Sequence, residues 1–395
     1  MLEYLGFFLH EVVFGFLSVF FPLYIILIGG SLIDVGLISM FALLSAIVSS
    51  FFWGYLCDRL KRYKWSILLS FASIAVILYL FMFVRSIMLL TLLYALLSVF
   101  HMAHEPSKNV IISETYEHDY WIRAFAFYEG FTEIGWLVGL LLGFLTSIYN
   151  FNAETILLVC SLLHLTAFAS SIFFVSDPPL SIERKLVRIE KTVDLACKGL
   201  TVLSGLFSGV RIDGRVGREN IYGFCVGLTL FIFATSMLFT PLPVFLMNLP
   251  ILTGGVFAIL ALNSLGGVLG YLTTMAVPQW SIEKSRMWEI AALRSILTLL
   301  IVMAVNAPSY NTAIIASILM VMGFAYAVFY VYTLSASMAL VSEGEAGLFN
   351  TLVGVGNVLG SFTGPYIAQT MGFTHMFIAV GGFFLISSIV LKFST

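Results

Sequence analysis

The sequence predicts an all-α membrane protein with twelve transmembrane helices in two pseudo-symmetric six-helix lobes. Three observations carry that prediction. Of the 395 residues 60% are hydrophobic and only 10% charged, with a mean hydropathy of +1.04, where an ordinary soluble domain has roughly 25% charged residues. Apolar stretches of about 20 residues or more, the length that crosses a hydrocarbon core, recur from end to end and leave no long polar block outside the middle. A glycine pattern in the first half returns in the second, Gly135, Gly139 and Gly143 matching Gly356, Gly360 and Gly364, and "GYL" at Gly54 returns at Gly270. Four-spaced glycines mark close helix crossings in any case. Their repetition either side of a polar linker points to a duplicated six-helix unit.

Each span is delimited by polar interruptions. The first, at about residues 4 to 28, carries His10, Glu11 and Pro22. It has no basic leader and no small-residue cleavage site, so it is expected to be retained. Spans two and three, at about 34 to 56 and 65 to 84, flank the charged stretch from Gly54 to Lys64. Span four, about 88 to 112, holds His101, His104, Glu105, Pro106 and Lys108; span five, about 122 to 148, holds Glu129 and Glu133; span six, about 153 to 176, closes the first lobe. The second lobe runs through about 220 to 246, 252 to 277, 287 to 306, 311 to 340, 346 to 370 and 373 to 393. The expected division is a lobe over 1–176, a linker over 177–219 and a lobe over 220–395. In the linker Ile182, Leu186, Ile189, Val193, Ala196, Leu200, Leu203 and Phe207 follow three- and four-residue steps, which predicts an amphipathic helix on the membrane surface.

Basic residues set the orientation. Arg59, Lys61, Arg62, Lys64, Arg123, Lys284, Arg286 and the linker cations fall on one side, whereas the opposite loops offer Arg85. The positive-inside rule places both termini and the linker in the cytoplasm of a multi-pass protein of the cell membrane. The formal net charge of -2 identifies no partner, and no nucleic acid is expected. Cys57, Cys160, Cys197 and Cys225 lack paired spacing and read as reduced thiols, with no metal or cofactor site implied.

The stretch "GYLCDRLKRYK" resembles the signature loop of the major facilitator superfamily, a glycine followed by an Asp-Arg pair and further basic residues between spans two and three, here Gly54, Asp58, Arg59, Lys61 and Arg62. The architectural resemblance covers essentially the whole chain. It implies a two-lobed transporter whose spans one, four, seven and ten line a central path. It also implies a conformational latch in which Asp58 meets Arg123 at the cytoplasmic mouth; alternatively the cations only set topology. The second lobe lacks the Asp-Arg pair, and span five has Gly139-Leu140 where an antiporter-type motif would have Gly-Pro.

Ionisable residues inside a membrane are costly and mark pathways, proton relays or internal pairs. Here they concentrate in the first lobe. Glu133, about 16 Å along its helix, ranks first as a proton or cation site, followed by Glu11 and Glu105; His101, His104, Arg294 (near Glu289 in sequence), Tyr330 and Asn357 complete the candidate set. An internal network of Lys108, Arg123, Glu105 and Glu129 is the alternative for part of this group. The aromatic wall of span ten, Phe324 to Tyr332, suits a bulky amphipathic or cationic solute.

The expectation is a monomeric, proton-coupled secondary transporter that exports a hydrophobic or cationic small molecule. The alternative in the same class is uptake of a metabolite such as an organic acid, with Lys108, His101 or Arg294 meeting the anion. Transition-metal transport by His10, His101, His104 and the glutamates is a further reading, disfavoured because packed intramembrane histidines need no metal and no cysteine joins them. From another class comes a non-transporting membrane receptor. An enzyme is not expected: His10-Glu11 lacks the second histidine of a zinc-protease motif, and no Gly-rich phosphate loop occurs.

Overall fold

The structure is a computed structural model and describes residues 4–115, 121–177, 221–276, 286–305, 312–340 and 346–394. The described residues form helices and no strands: α1 (Leu5–Leu27), α2 (Leu32–Leu60), α3 (Tyr63–Phe81), α4 (Ile87–His101), α5 (Glu105–Thr115), α6 (Trp121–Ile148), α7 (Ala153–Phe174), α8 (Ile221–Phe239), α9 (Leu242–Met247), α10 (Thr253–Ala276), α11 (Met287–Val305), α12 (Thr312–Leu340), α13 (Ala346–Met371) and α14 (Phe373–Lys392). Eleven stretches are long and apolar enough to cross a membrane; α13, richer in Gly, Ser, Thr and Asn, supplies the twelfth long helix. The linker prediction over 177–219 falls, past Asp177, outside the described residues.

Two spans are broken, and proline explains both. The fourth is interrupted at residues 102–104, where the Pro106 ring would clash with the carbonyl four residues back and offers no N–H. The seventh stops at Phe239 and restarts at Leu242, with Pro241 as its cap and Pro243 in the first turn. Elsewhere the boundaries follow local chemistry. Ser31 caps α2 through a reciprocal pair with Asp34, Asn152 accepts from the Thr155 N–H at the start of α7, and Gly372, at φ +90°, makes the tight link from α13 to α14.

The lobes repeat one packing scheme. In the first, α1 crosses α6 and α7, and α3 packs on α7; in the second, α8 crosses α13 and α14, and α11 packs on α14. The glycines make these crossings possible. A Cβ on Gly135 or Gly139 would run into the carbonyl oxygens of Phe8 or Val12 on α1, and one on Gly356 or Gly360 into those of Thr229 or Phe233 on α8. Lipid offers helices no hydrophobic drive to associate, so close backbone approach supplies much of the cohesion.

Between lobes, α6 lies on α10 and α2 on α13. At the end bearing Arg85 this junction is tight. Leu32 donates its backbone N–H to Gln369 at 3.1 Å, Gly36 sits against Pro365, and the Phe16 and Phe257 rings stand 5.5 Å apart. Arg85 itself bridges Glu154 at 2.6 Å and the Tyr24 hydroxyl at 3.1 Å; Tyr24 and then Glu154 hold its guanidinium above its ordinary pKa. At the opposite, basic end, nothing among the described residues lies within 4 Å of where a Gly54 Cβ would sit.

Candidate functional site

The candidate site lies along α6, α1 and the broken fourth span, facing α10 and α12 of the second lobe. Glu11, Glu105, Glu129 and Glu133 are all partly exposed although each lies within or beside an apolar span. Glu11 is within electrostatic reach of Glu105, Lys108, Glu129 and Glu133. From the other lobe Tyr271 comes within reach of Glu129 and Glu133, Tyr326 of both, and Tyr330 of Glu129 and Glu105. Tyr326 and Tyr330 are stacked at 6.0 Å. Three carboxyl groups, Glu105, Glu129 and Glu133, thus lie near phenol rings of the other lobe, with Glu11 and Lys108 beside them.

Two carboxylates have defined partners. Glu105 Oε2 accepts from the Lys108 ammonium at 2.6 Å, and that ammonium also lies 4.9 Å from the centre of the Tyr128 ring. This contact joins two members of the internal network that the sequence offers as an alternative, Lys108 and Glu105. Glu133 Oε1 accepts from the Ser264 hydroxyl at 2.6 Å, and Gly267 leaves room beside the carboxyl group. This bond joins α6 to α10, one lobe to the other. Ser264 carries no sequence signal by itself, being one small polar residue in a glycine-rich apolar helix.

Behind the cleft, four histidines of the first lobe cluster among the described residues. His10 Nδ1 is 3.1 Å from His164 Nε2, and His10 Nε2 is 2.9 Å from His101 Nδ1. His104 Nδ1 is 3.3 Å from the Ser70 hydroxyl and its Nε2 3.4 Å from Glu105. His10, His104 and His164 are buried, whereas His101 is half-buried. His164 escapes a reading of the sequence because it stands alone in span six, remote from the other three along the chain.

The second lobe has an arginine in the corresponding interior. Arg294 is fully buried, donates to Thr235 at 2.7 Å, and faces the rings of Phe384, Phe231, Tyr326 and Phe239 at 4.7 to 5.8 Å. Its Nε and Nη2 have no partner among the described residues. Glu289, its neighbour in sequence, is exposed, because five residues turn a helix by about 140° and put the two on different faces. Asn357 lies on α13, where its backbone carbonyl accepts from the Ser236 hydroxyl at 3.0 Å.

The predicted latch residues cluster at the basic end. Arg59 is exposed and lies 3.4 Å from the Tyr55 hydroxyl on its own helix; Lys61 is the left-handed cap of α2 at φ 49°, and Arg62 precedes α3. Lys64 ties this loop to the end of α7, its N–H donating to Asp177 at 2.8 Å and its ammonium to the Ile172 carbonyl at 2.6 Å. The side chains of Asp58 and Arg123, and hence the pairing expected between them, lie outside the described residues.

Among the described residues, eleven apolar membrane-length stretches and the long α13, in two like halves with ionisable groups gathered between them, define a polytopic membrane protein built to carry polar chemistry through the bilayer. A sequence profile of the Major Facilitator Superfamily matches residues 4–350, and the chain belongs to that family. Its fold is shared with solved transporters. A tetrameric PepTSo2 structure superposes with TM-score 0.77 at 14% identity, over 99% of this chain and 96% of that one. The nucleoside transporter NupG gives 0.70 at 14% identity over 99% and 97%. The human organic anion transporter MFSD10 gives 0.69 at 17% identity over 99% and 98%. Compared by sequence with curated proteins, the chain has no match. Family and fold together make it a secondary transporter and a multi-pass integral membrane protein.

Proposed function

We propose that the protein is a proton-coupled exporter of hydrophobic or cationic small molecules, working by alternating access between its lobes. The observation that carries this reading is the Glu133–Ser264 bond of 2.6 Å across the lobe division. A carboxylate inside a membrane span is costly unless it is protonated or paired. One whose polar partner belongs to the other lobe gains or loses that partner when the lobes rock. Proton affinity and lobe position are then linked, which is what coupling requires. The carboxylates opposite Tyr271, Tyr326 and Tyr330 favour a cation, held by charge on one wall and ring faces on the other.

With the basic end in the cytoplasm, the packed end is extracellular and the cleft opens inward. The space at Gly54 is where another helix would seat when the cytoplasmic mouth closes, and Asp58, Arg59, Lys61, Arg62 and Arg123 would then fasten it. A second reading, uptake of an organic acid, is favoured by the unpartnered nitrogens of Arg294. The remaining division of the chain, lobes over 1–176 and 220–395 joined by a linker over 177–219, belongs to this proposal.

The test is transport in proteoliposomes carrying an imposed pH gradient, with labelled lipophilic cations and labelled carboxylates offered separately. The proposal expects cations to move against the proton gradient in the wild type, and this movement to vanish in Glu133→Gln while folding is intact. Undiminished coupling in Glu133→Gln would remove the mechanism; movement of carboxylates alone would reverse the substrate assignment.

A further inference from the structure

The histidines behind the cleft have proton assignments that can be worked out from their neighbours. His164 Nδ1 lies 3.3 Å from the Cys160 carbonyl, an acceptor, so Nδ1 carries the hydrogen and Nε2 carries the lone pair. His10 Nδ1, 3.1 Å from that lone pair, must then donate, which leaves His10 Nε2 as an acceptor. His101 Nδ1 donates to it at 2.9 Å, and His101 Nε2 is left with a lone pair. At His104, Nε2 faces the carboxylate of Glu105 at 3.4 Å and donates; Nδ1 therefore presents its lone pair, toward which Ser70 is 3.3 Å away. For neutral rings the chain of bonds fixes every tautomer.

At His10 and His104 this is the protonation pattern of metal ligands, whereas His101 would give up the Nδ1–H bond to His10 Nε2 so that the ion takes that lone pair. A histidine that binds a metal gives its other ring N–H to a carboxylate, a carbonyl or another acceptor, which fixes the tautomer and strengthens the donor nitrogen. His10 does so toward His164 and, beyond it, the Cys160 carbonyl; His104 does so toward Glu105. One ligand nitrogen from each of His10, His101 and His104 lies within 4.8 Å of the other two. Around a tetrahedral ion with bonds of about 2.1 Å, such nitrogens would stand about 3.4 Å apart. Turning the half-buried His101 ring closes that difference, at the cost of its 2.9 Å bond to His10. Lys108 is the nearby cation that would oppose an ion, and its ion pair with Glu105 at 2.6 Å offsets its charge.

We infer that His10, His101 and His104 form a binding site for one divalent first-row transition-metal ion, with His164 and Glu105 as its outer partners and a fourth position open toward the cleft. All-imidazole coordination suits zinc, copper, nickel and cobalt, and excludes magnesium and calcium, which take oxygen ligands. The site needs no cysteine. It is also independent of proton coupling at Glu133, so the failure of either reading leaves the other standing.

The experiment is titration of the purified full-length transporter in detergent with Co2+ alone, read by visible absorption and by metal bound per chain. The expected result is one Co2+ per chain with the intense bands of a four-coordinate nitrogen site, bleached by Zn2+. His10→Gln and His104→Gln should weaken binding by more than 100-fold, and His164→Ala by roughly 10- to 100-fold, the range for an outer partner. His375→Gln, altering an exposed histidine on α14, should leave binding unchanged. His101→Gln, at the half-buried ring, gives a ligand variant whose folding is least at risk. Absence of the bands in the wild type overturns the site without recourse to any variant. So does binding that survives in folded His101→Gln and His104→Gln, or that is lost in His375→Gln.

Discussion

At the scale of single residues, burial and partnership separate the ionisable groups by what each can do. Arg294 is the most isolated: fully buried, ringed by aromatic faces, with two nitrogens unpartnered among the described residues. An unsatisfied buried donor costs about 1–3 kcal/mol. Arg294→Met keeps the volume and removes the unpaired donors, so its thermal unfolding temperature in detergent should equal or exceed that of wild type; a large fall would mean the guanidinium has partners that stabilise it. Arg294→Lys should be less stable than Arg294→Met, because the ammonium keeps the charge in the same apolar box and loses the planar group that reaches Thr235. Such residues were only half legible in the sequence. Glu11, Glu105, Glu133 and Arg294 stood out because charge is rare in spans. Which of them meet depends on helices brought together from distant parts of the chain, so His164 and Ser264 were invisible, and nearness in sequence left Glu289 on a different face from Arg294.

At the scale of elements, polar interruptions located the spans because each crossing needs an unbroken apolar run, and the breaks followed from Pro106, Pro241 and Pro243 acting on carbonyls one turn back. The glycine repeats were legible as crossings, but their partners were not. The structure supplies those partners and with them a graded prediction. Gly139→Ala puts a Cβ into the Val12 carbonyl, where backbone rather than a flexible side chain must move. It should lower the unfolding temperature markedly, at a cost of about 1–3 kcal/mol for an overpacked contact. Gly360→Ala, which meets the Phe233 carbonyl in the equivalent crossing, should behave alike. Gly382→Ala meets nothing within 4 Å and should be silent. Equal effects at all three positions, read by thermal unfolding of detergent-purified variants, would contradict the packing account.

At the scale of the whole molecule, the two-lobed fold was legible from the duplicated pattern and the resemblance of the Gly54–Arg62 stretch to its family. The relation between lobes was not, since no local pattern records which ends touch. The structure joins them at the Arg85 end through Leu32–Gln369, Gly36–Pro365 and Phe16–Phe257, and at mid-depth through Glu133–Ser264. Gln369→Ala, which removes one of those contacts, should shift the population toward states open at that end and make exposed thiols placed there react faster. The central claim is that the lobes rock about this shared junction. Its most direct test is a pair of distance measurements by spin-label resonance in a cysteine-depleted background, one between labels at Leu27 and Leu252 on the packed end, the other between Leu60 and Ala276 on the basic end, at high and low pH. The account predicts opposed changes, one distance lengthening as the other shortens, with the response lost in Glu133→Gln. Distances that stay fixed, or that lengthen and shorten together, would contradict it.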